Sequence, residues 1–261
     1  MSLDRLGLVK TSLIDYPGEV AAVIFTAGCN LRCPFCQNPG LVSGTFPEDF
    51  LSKEEVLSFL ARRAGILGGV CITGGEPLIH EDLPELTDQI RRHGLKTKID
   101  TNGTFRSRLA EISPDFVSLD LKTSPEKYHR LLPEGHGLQL ELFDAESDLP
   151  PGIWVQVQST LEWIAESGRE FEVRTTVVPD LVSIDDIKVL ADFLADNFRS
   201  PLQERGNYVL AGFRPENVLD PSFAAIRPYP VDVLETMAAI VRQRGISCSI
   251  RPNLPPGTAP S

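Results

Sequence analysis

Residues 20–38 of this 261-residue chain read Val-Ala-Ala-Val-Ile-Phe-Thr-Ala-Gly-Cys-Asn-Leu-Arg-Cys-Pro-Phe-Cys-Gln-Asn. The first seven residues are rich in Val, Ile and Phe and predict a buried β-strand. Cys29, Cys33 and Cys36 follow it directly, in a stretch whose glycine and proline favour a loop. This loop holds three of the chain's five cysteines, so three thiolates can bind one inorganic centre from a single short segment.

The spacing of these cysteines distinguishes between kinds of metal site. A structural zinc site normally uses two Cys or Cys/His pairs. No second pair exists here, because Cys71 and Cys248 stand alone and the histidines are unpaired. Structural iron–sulfur clusters normally take four cysteines. Three thiolates leave one metal position open, which is typical of a reactive centre. The alternative is three thiols that lie close together without a metal.

Predicted strands and helices alternate along the chain. Buried apolar runs predict strands at residues 20–26, 69–73, 96–100, 116–121, 170–178, 207–211 and 246–250. Helical spacing of apolar residues predicts helices at residues 53–63, 82–93, 106–112, 125–132, 153–168, 184–198 and 231–244. This alternation indicates an α/β fold with a parallel sheet. Six or seven units are too few for an eight-stranded barrel, and a partial barrel and a doubly wound sheet remain alternatives.

The domain organisation follows from length and local composition. A chain of this length forms one large domain or two small ones, and we interpret residues 1–251 as a single domain. Residues 133–152 lack periodicity and contain prolines, glycines and acids, so we interpret them as an insertion or a long loop. The tail at residues 252–261 contains four prolines and is predicted to be flexible.

Polar residues follow four successive predicted strands. The cysteine loop follows the first strand, and Gly74-Gly75-Glu76-Pro77 follows the second. Asp100 and Asn102 end the third strand, and Asp120 and Lys122 end the fourth. Sites in parallel α/β folds form where strands meet the loops that follow them. We therefore expect all four sets of residues to converge on one side of the sheet.

The polar residues at these strand ends suit a ligand that carries both a positive and a negative charge. Gly74 and Gly75 have no Cβ and can expose backbone groups, while Glu76 can accept hydrogen bonds from an ammonium group. Taken alone, this stretch is better explained as a simple turn. Lys122 can neutralise a carboxylate, and the alternative is an internal ion pair with Asp120.

Composition excludes several classes of function. The formal net charge is −11 and no block of like charges occurs, so a role with nucleic acid or an anionic membrane is not expected. The opening residues show no signal-peptide pattern, and the longest uncharged apolar run is too short to span a bilayer. Few cysteines, three of them in a metal-type loop, fit a reducing cytoplasm rather than a disulfide scaffold.

The pattern Cys29-x3-Cys33-x2-Cys36, with aromatic Phe35 before the last cysteine, resembles the signature of the radical S-adenosyl-L-methionine (SAM) superfamily. The resemblance implies that the three cysteines bind a 4Fe-4S cluster and that SAM chelates its fourth iron. It implies that the cluster donates an electron and that SAM breaks to give a 5′-deoxyadenosyl radical. It also implies a partial (βα)6 TIM-like barrel, in which Gly74-Gly75-Glu76-Pro77 binds the SAM amino group.

Further segments resemble one subgroup, the glycyl-radical enzyme activating enzymes, and within it the activating proteins of anaerobic ribonucleoside-triphosphate reductase. These segments are residues 10–18, 25–29, 36–39, 174–179 and 213–215. The implied reaction is removal of hydrogen from a glycine Cα of a partner protein. Since the chain has no second cysteine-rich domain, the electron is expected from an external flavodoxin or ferredoxin.

The same resemblance places more residues at the SAM site. In the subgroup, segments similar to Asp100-Thr-Asn102-Gly and Asp120-Leu-Lys122 lie along SAM, and the two aspartates help to bind a monovalent cation beside the SAM carboxylate. Lys122 is then a partner of that carboxylate. Arg174, on a predicted buried strand, is a partner of the carboxylate or the ribose, with a neighbouring Asp or Glu as the alternative.

The remaining candidates receive simpler interpretations. The backbone of Phe35 is expected near the adenine by resemblance, with packing as the alternative. Cys71 and Cys248 are interpreted as inert core thiols, and the four histidines as surface or loop residues. We expect residues 39–50 and 133–152 to frame the opening through which a partner reaches the site.

Two rival functions remain open from the sequence. One is a radical SAM enzyme that acts on a small molecule, which requires a polar, closed pocket. The other is a non-catalytic iron–sulfur binding or electron-transfer module, which would produce no 5′-deoxyadenosine.

Overall fold

The computed structural model describes residues 3–43, 48–132 and 152–253. In this part of the chain nine strands alternate with seven α-helices. The strands are β1 (Arg5–Ser12), β2 (Ala21–Thr26), β3 (Leu51–Ser52), β4 (Gly69–Gly74), β5 (Lys96–Thr101), β6 (Phe116–Asp120), β7 (Glu170–Val177), β8 (Gly206–Gly212) and β9 (Cys248–Arg251). The helices are α1 (Pro39–Val42), α2 (Lys53–Arg63), α3 (Leu83–Arg92), α4 (Arg106–Ile112), α5 (Ile153–Glu166), α6 (Ile184–Glu204) and α7 (Val231–Gln243).

The strands form one sheet in the order β3-β1-β2-β4-β5-β6-β7-β8-β9. Every neighbouring pair from β2 through β9 is parallel, whereas β1 is antiparallel to both β2 and β3. The two end strands, β3 and β9, have no second strand neighbour among the described residues. The prediction of an α/β fold of the partial (βα)6 barrel type is confirmed, with a short antiparallel edge added to the parallel sheet.

One face of the sheet is apolar. Ile24, Ile72 and Ile99 lie side by side on neighbouring strands, and the row continues through Val117 and Phe171. All five are buried in the main hydrophobic cluster, together with apolar residues of the helices. Burying each such side chain contributes about 1.5–3 kcal/mol, so this row anchors the helices to the outside of the sheet.

The opposite face of the sheet carries polar residues on its central strands, although Cys71 and Phe116 share it with Lys98. Residues two apart on a strand share a face, so Lys98 and Asp100 lie on the other side from Ile99. Ser118 and Glu172 continue the row that starts at Asp100, and Ser118 Oγ donates a hydrogen bond of 2.7 Å to Glu172. Because the apolar face carries the helices, polar residues are concentrated on the inside of the partial barrel.

The first strand, β1, lies outside the sequence predictions. Its residues do not follow a simple alternation, because Leu6 is buried while Val9, Lys10 and Thr11 are exposed. The irregularity arises because β1 lies near the antiparallel edge of the sheet, with a register shift in its pairing to β2 between Val9 and Ser12.

The turn after β1 closes the amino-terminal end of the barrel. Tyr16 is buried with Ala21 and Phe116, which lie at the starts of β2 and β6. The rings of Tyr16 and Phe116 are 5.9 Å apart. A Cβ on Gly69, at the start of β4, would lie 2.8 Å from the Tyr16 ring, so the ring packs directly on that strand's backbone. The Tyr16 side chain therefore fills the space between the first residues of β2, β4 and β6.

Other differences from the predictions are local. Helix α6 continues to Glu204 instead of ending at Phe198, where the backbone turns out of helical geometry (φ −134°, ψ 16°) before the helix resumes. Residues 39–42 form the short helix α1, and residues 125–131, within a predicted helix, form a 3-10 helix. Predictions for residues 133–151 and 254–261 fall outside the described residues. Among those described, no helix combines the length and apolar content needed to cross a bilayer.

The amino terminus of α2 is capped by the side chain of Ser52. Ser52 accepts a hydrogen bond from Glu55 N at 3.2 Å, and the Glu55 side chain accepts one from Ser52 N at 2.8 Å. This reciprocal pair is a capping box, which satisfies two backbone donors that a helix start leaves unpaired.

We expect S52A to lower the free energy of unfolding by about 1 kcal/mol, because it removes one half of this cap. Urea unfolding followed by circular dichroism measures the change. The control S58A lies on the exposed surface of the same helix and should stay within about 0.5 kcal/mol of the wild-type value. Equal effects of the two substitutions would contradict the assigned role of Ser52.

Candidate functional site

A cavity of about 500 Å³ opens where the carboxyl ends of β2, β4, β5, β6 and β7 meet. The structure brings nearly all of the predicted site residues together around it: Cys29, Cys33, Phe35, Cys36, Gly74, Gly75, Glu76, Asp100, Asn102, Asp120, Lys122 and Arg174. The exception is Pro77, which is buried outside the lining and begins a 3-10 turn, Pro77–Ile79.

The three cysteines of the loop are free thiols on the cavity wall. Cys33 is buried, and Cys29 and Cys36 are half-buried. Burial raises the pKa of the Cys29 thiol to about 12 and that of Cys33 to about 11. Both are therefore neutral at pH 7 in the absence of positive charge. A bound metal would supply that charge, because a thiol that coordinates a metal loses its proton.

The cysteine loop is fixed to the fold from several sides. The Arg32 guanidinium donates to the carbonyls of Cys29 (2.7 Å) and Leu31 (2.9 Å), and Arg32 N donates to Leu131 O (2.8 Å). On the far side, Asp220 N donates to Pro34 O at 2.9 Å. The segment after β8 thus holds the loop against the barrel, which reduces the freedom of the thiols before any metal binds.

The donor set of the loop fits an iron–sulfur cluster. Such clusters are held by Cys thiolates, and the three free cysteines line one cavity. Three thiolates would hold three irons of a 4Fe-4S cluster and leave the fourth corner open. Within residues 3–43, 48–132 and 152–253, no three His, Cys, Asp or Glu side chains are placed to hold one metal ion.

The glycine pair after β4 packs directly on the cysteine loop. A Cβ on Gly75 would lie 1.9 Å from Gly28 O, and one on Gly74 (φ +118°) would lie 2.4 Å from Thr26 O. Gly75 N donates to Thr26 O at 2.9 Å, and Glu76 N donates to Gly28 O at 2.8 Å. The close approach that requires glycine here is thus between two segments of the protein. The loop carbonyls already occupy the N–H groups of Gly75 and Glu76.

The Glu76 carboxylate lies at the centre of a buried set of donors. It accepts hydrogen bonds from Asn102 N (2.7 Å), the Thr101 hydroxyl (2.8 Å) and Leu78 N (3.2 Å). Burial raises the pKa of Glu76 to about 7, although these hydrogen bonds oppose the rise. The carboxylate therefore ties the end of β4 to the end of β5.

The side chain of Asn102 is also engaged within the protein. Its Nδ2 donates to Asn30 Oδ1 at 2.8 Å, and its Oδ1 accepts from Thr104 Oγ1 at 2.7 Å and Thr104 N at 3.1 Å. Asn30 Nδ2 donates to Thr104 Oγ1 at 2.8 Å. All three side chains are buried.

Charges alternate across the cavity floor from β5 to the end of β6. Arg174 donates to Asp120 Oδ1 at 2.9 Å and to Asp100 Oδ2 at 3.1 Å. Lys122 donates to the second Asp120 oxygen at 2.8 Å, and Lys98 pairs with the second Asp100 oxygen. We call these five residues the charge chain. Three cations and two anions give it a net charge of +1.

The charge chain controls the ionisation of its own members. Burial alone would raise the pKa of Asp100, but Arg174 and Lys98 outweigh it and hold that pKa far below its usual range. Burial likewise opposes ionisation of Asp120, and Arg174 and Lys122 more than compensate. Burial would lower the pKa of Lys122, but the nearby Asp120 raises it. All members are therefore charged at neutral pH.

The structure adds residues that the sequence predictions missed. Lys98 is 2% exposed in its side chain and also approaches Cys71 Sγ at 3.7 Å. The sequence could have indicated Lys98, because it lies two residues before Asp100 on the same strand and so shares a face of the sheet with it. Glu172 lies below Arg174, at 3.7 Å, and pairs with Arg251 at 2.7 Å.

The described histidines lie on the surface or in a loop, as predicted, but one of the loop residues is buried. His80 is buried rather than on the surface, and its Nε2 lies 2.9 Å from Ala27 O, beneath the cysteine loop. His93 and His129 are exposed, as predicted. Cys71 is buried, as predicted for a core thiol, whereas Cys248 is only half-buried on the end strand β9. His136 lies outside the described residues.

Known proteins are similar to this chain in sequence. One protein of Methanocaldococcus jannaschii, named as a glycyl-radical enzyme activating enzyme, is 28% identical to this chain over 233 residues. The matched residues cover 86% of this chain and 85% of that protein. The 7-carboxy-7-deazaguanine synthase of Rhodopirellula baltica is 31% identical over 188 residues, or 70% of this chain and 65% of that enzyme.

A solved structure matches at the level of the fold. Streptococcus suis SuiB bound to S-adenosylmethionine superposes with a TM-score of 0.60 at 18% identity, covering 89% of this chain. The chain spans half the length of that protein. The sequence model of the radical SAM superfamily matches residues 23–194, which include the cysteine loop and the strand ends through β7. The chain belongs to the radical SAM superfamily, whose members use a 4Fe-4S cluster and SAM.

Proposed function

We propose that this protein activates a glycyl-radical enzyme by removing a hydrogen atom from a glycine Cα of that partner. The observation that carries the proposal is the similarity to the activating enzyme of M. jannaschii, which extends over more than four fifths of both chains. The subgroup-like segments at residues 10–18 and 213–215 add support, because they lie outside the two central motifs.

The cysteine loop would hold the cluster through Cys29, Cys33 and Cys36. When bound, the cluster and SAM supply an electron and the 5′-deoxyadenosyl radical. The residues of this chain contribute the binding geometry. The anchored loop presents its thiols towards the cavity, which all three cysteines line.

The charge chain supports binding of the SAM carboxylate at Lys122 and Arg174. Its net charge of +1 would be balanced by one carboxylate, and both cations line the cavity. Each already contacts Asp120, so the ligand would share these cations with an internal ion pair. The internal pairing that the sequence left as an alternative is thus present, and it keeps the cations in place for a ligand.

The opposite part of the cavity supports binding of the SAM amino group. Gly74, Gly75 and Glu76 line it and bring backbone carbonyls and one carboxylate near the cysteine loop. The Glu76 oxygens are occupied by three protein donors, so we assign the ammonium group chiefly to backbone carbonyls. Phe35 also lines the cavity, and its backbone is our candidate for contact with the adenine.

A monovalent cation beside the SAM carboxylate would lie between Asp100 and Asp120. Both carboxylates are paired with Arg174, and each has a lysine on its other oxygen. Binding of a cation would therefore require one of these ion pairs to open.

The partner that we propose to test first is anaerobic ribonucleoside-triphosphate reductase, with flavodoxin or ferredoxin as electron donor. Both choices rest on the subgroup resemblance, and both place the reaction in the cytoplasm. In this proposal residues 39–50, of which the structure describes 39–43 and 48–50, help to frame the opening through which the glycine segment of the partner would enter.

A second function has its own support. The similarity to 7-carboxy-7-deazaguanine synthase favours a radical SAM enzyme that acts on a small molecule. The cavity is lined by both polar and apolar side chains, among them Thr176, Arg214 and Arg251. The activity test below separates the two functions.

We expect C33S to retain almost no iron after anaerobic reconstitution, because it removes one of three cluster ligands. Iron and sulfide analysis, with the visible absorption of the cluster, measures the loss. C248S is the control, since this cysteine lies on the end strand β9, away from the cavity lining. Full cluster loading of C33S would contradict the assignment of the loop.

We expect K122M to weaken SAM binding about tenfold, or about 1.4 kcal/mol, because it removes a cation from the carboxylate site. Isothermal titration of the reconstituted protein measures the dissociation constant. K127M is the control, because Lys127 pairs with Asp186 and lies outside the cavity lining. Unchanged SAM affinity in K122M would remove Lys122 from the proposed site.

We expect a glycyl-radical doublet in the EPR spectrum when reduced, reconstituted protein is mixed with SAM and anaerobic ribonucleotide reductase. Release of 5′-deoxyadenosine should accompany it. The control is a reductase in which the radical glycine is replaced by alanine. Deoxyadenosine without the doublet would point to another partner or a small molecule. The absence of both signals in a sample with reduced cluster would indicate a binding module.

A further inference from the structure

Three buried side chains form a closed ring of hydrogen bonds beside the cysteine loop. Asn30 donates to Thr104, Thr104 donates to Asn102, and Asn102 donates back to Asn30, at 2.8, 2.7 and 2.8 Å. Each side chain gives one hydrogen bond and accepts one within this ring. We call it the amide ring.

The amide ring joins segments that are far apart in the sequence. Asn30 immediately follows Cys29, whereas Asn102 and Thr104 follow β5, more than seventy residues later. The backbone N–H of Asn102 donates to Glu76 at 2.7 Å, which extends the connection to the end of β4. A continuous series of hydrogen bonds therefore links the glycine-rich segment of β4 to the residue beside Cys29.

Burial makes this connection rigid. Asn30 is 1% exposed and Asn102 is 4% exposed, and Thr104 is fully buried. In a buried setting a lost partner leaves a polar group without water to replace it, so each hydrogen bond strongly favours one arrangement. The backbone N–H of Thr104 also donates to Asn102 Oδ1, which fixes the orientation of that amide.

We infer that the amide ring is a positioning element for the cluster, which sets the place of Cys29 relative to the cofactor-binding ends of β4 and β5. Groups behind the ligands of a metal site orient those ligands, and their loss typically reduces metal affinity 10–100-fold. The inference rests on the cluster that superfamily membership implies. It does not depend on the proposed partner protein.

The chain offers a matched pair of substitutions for the test. T104V keeps the shape of the side chain and removes the hydroxyl that takes part in two of the three ring bonds. T160V is the control, because Thr160 is also fully buried and its hydroxyl donates to Gly103 O at 2.7 Å, in the same loop but outside the ring.

The experiment measures the loss of iron from the reconstituted full chain to an excess of chelator under anaerobic conditions. We expect T104V to release iron about tenfold faster than the wild type, with T160V and T104S close to the wild type. The EPR spectrum of the reduced cluster should also change less on addition of SAM in T104V, because the open corner is displaced. Melting temperatures should fall by similar amounts in T104V and T160V.

A second variant keeps the test decisive if T104V does not fold. N30L keeps the four heavy atoms of the side chain and their branching, and it breaks the ring from the side of the cysteine loop, so the same faster release is expected. Equal iron release from T104V and T160V, or release from N30L at the wild-type rate, would overturn the inference. So would a wild-type chain that takes up no cluster. Activation of any partner plays no part in these outcomes, so failure of the proposed function leaves them unaffected.

Discussion

The direct contact between the end of β4 and the cysteine loop constrains the whole site. Gly74 and Gly75 lie so close to the backbone of residues 26–28 that a side chain on Gly75 would overlap Gly28 O. Two backbone hydrogen bonds hold this contact, from Gly75 N and Glu76 N to the loop carbonyls. The position of the thiols is thereby tied to the parallel sheet itself. The positions of the other strand ends around the cavity are then nearly fixed relative to the cysteines.

The division of the sheet into an apolar and a polar face explains how such a charged site is tolerated. The apolar row from Ile24 to Phe171 supplies the hydrophobic burial on the side of the sheet that carries the helices. The inner face can therefore carry charged residues. On that inner face every carboxylate of the charge chain is paired, which offsets the cost of removing Asp100 and Asp120 from water. The residues that stabilise the fold and the residues of the candidate site thus lie on opposite faces of the same strands.

The fold and most of the site could be predicted because their signals are local. The alternation of strands and helices, the capping box at Ser52 and the polar strand ends are visible in short segments. The pairing of Arg174 with Asp100 and Asp120 joins three strands, and the amide ring joins residues more than seventy positions apart, so neither has a local pattern. Strand β1 escaped prediction because it lies near the edge of the sheet and exposes Val9, and the burial of His80 did because it depends on the loop above it.

The packing of Tyr16 between the strand starts has a consequence for the order in which the chain can fold. Its aromatic partner Phe116 is separated from it by about one hundred residues. During synthesis the segment after β1 therefore emerges long before β6 can receive it, and Tyr16 remains without its final surroundings while several βα units are made. Contacts of such long range slow folding, since their loop entropy is lost before the contact stabilises the chain. We therefore expect the amino-terminal end of the barrel to close late in folding, and the inner face of the sheet to stay open to water until then.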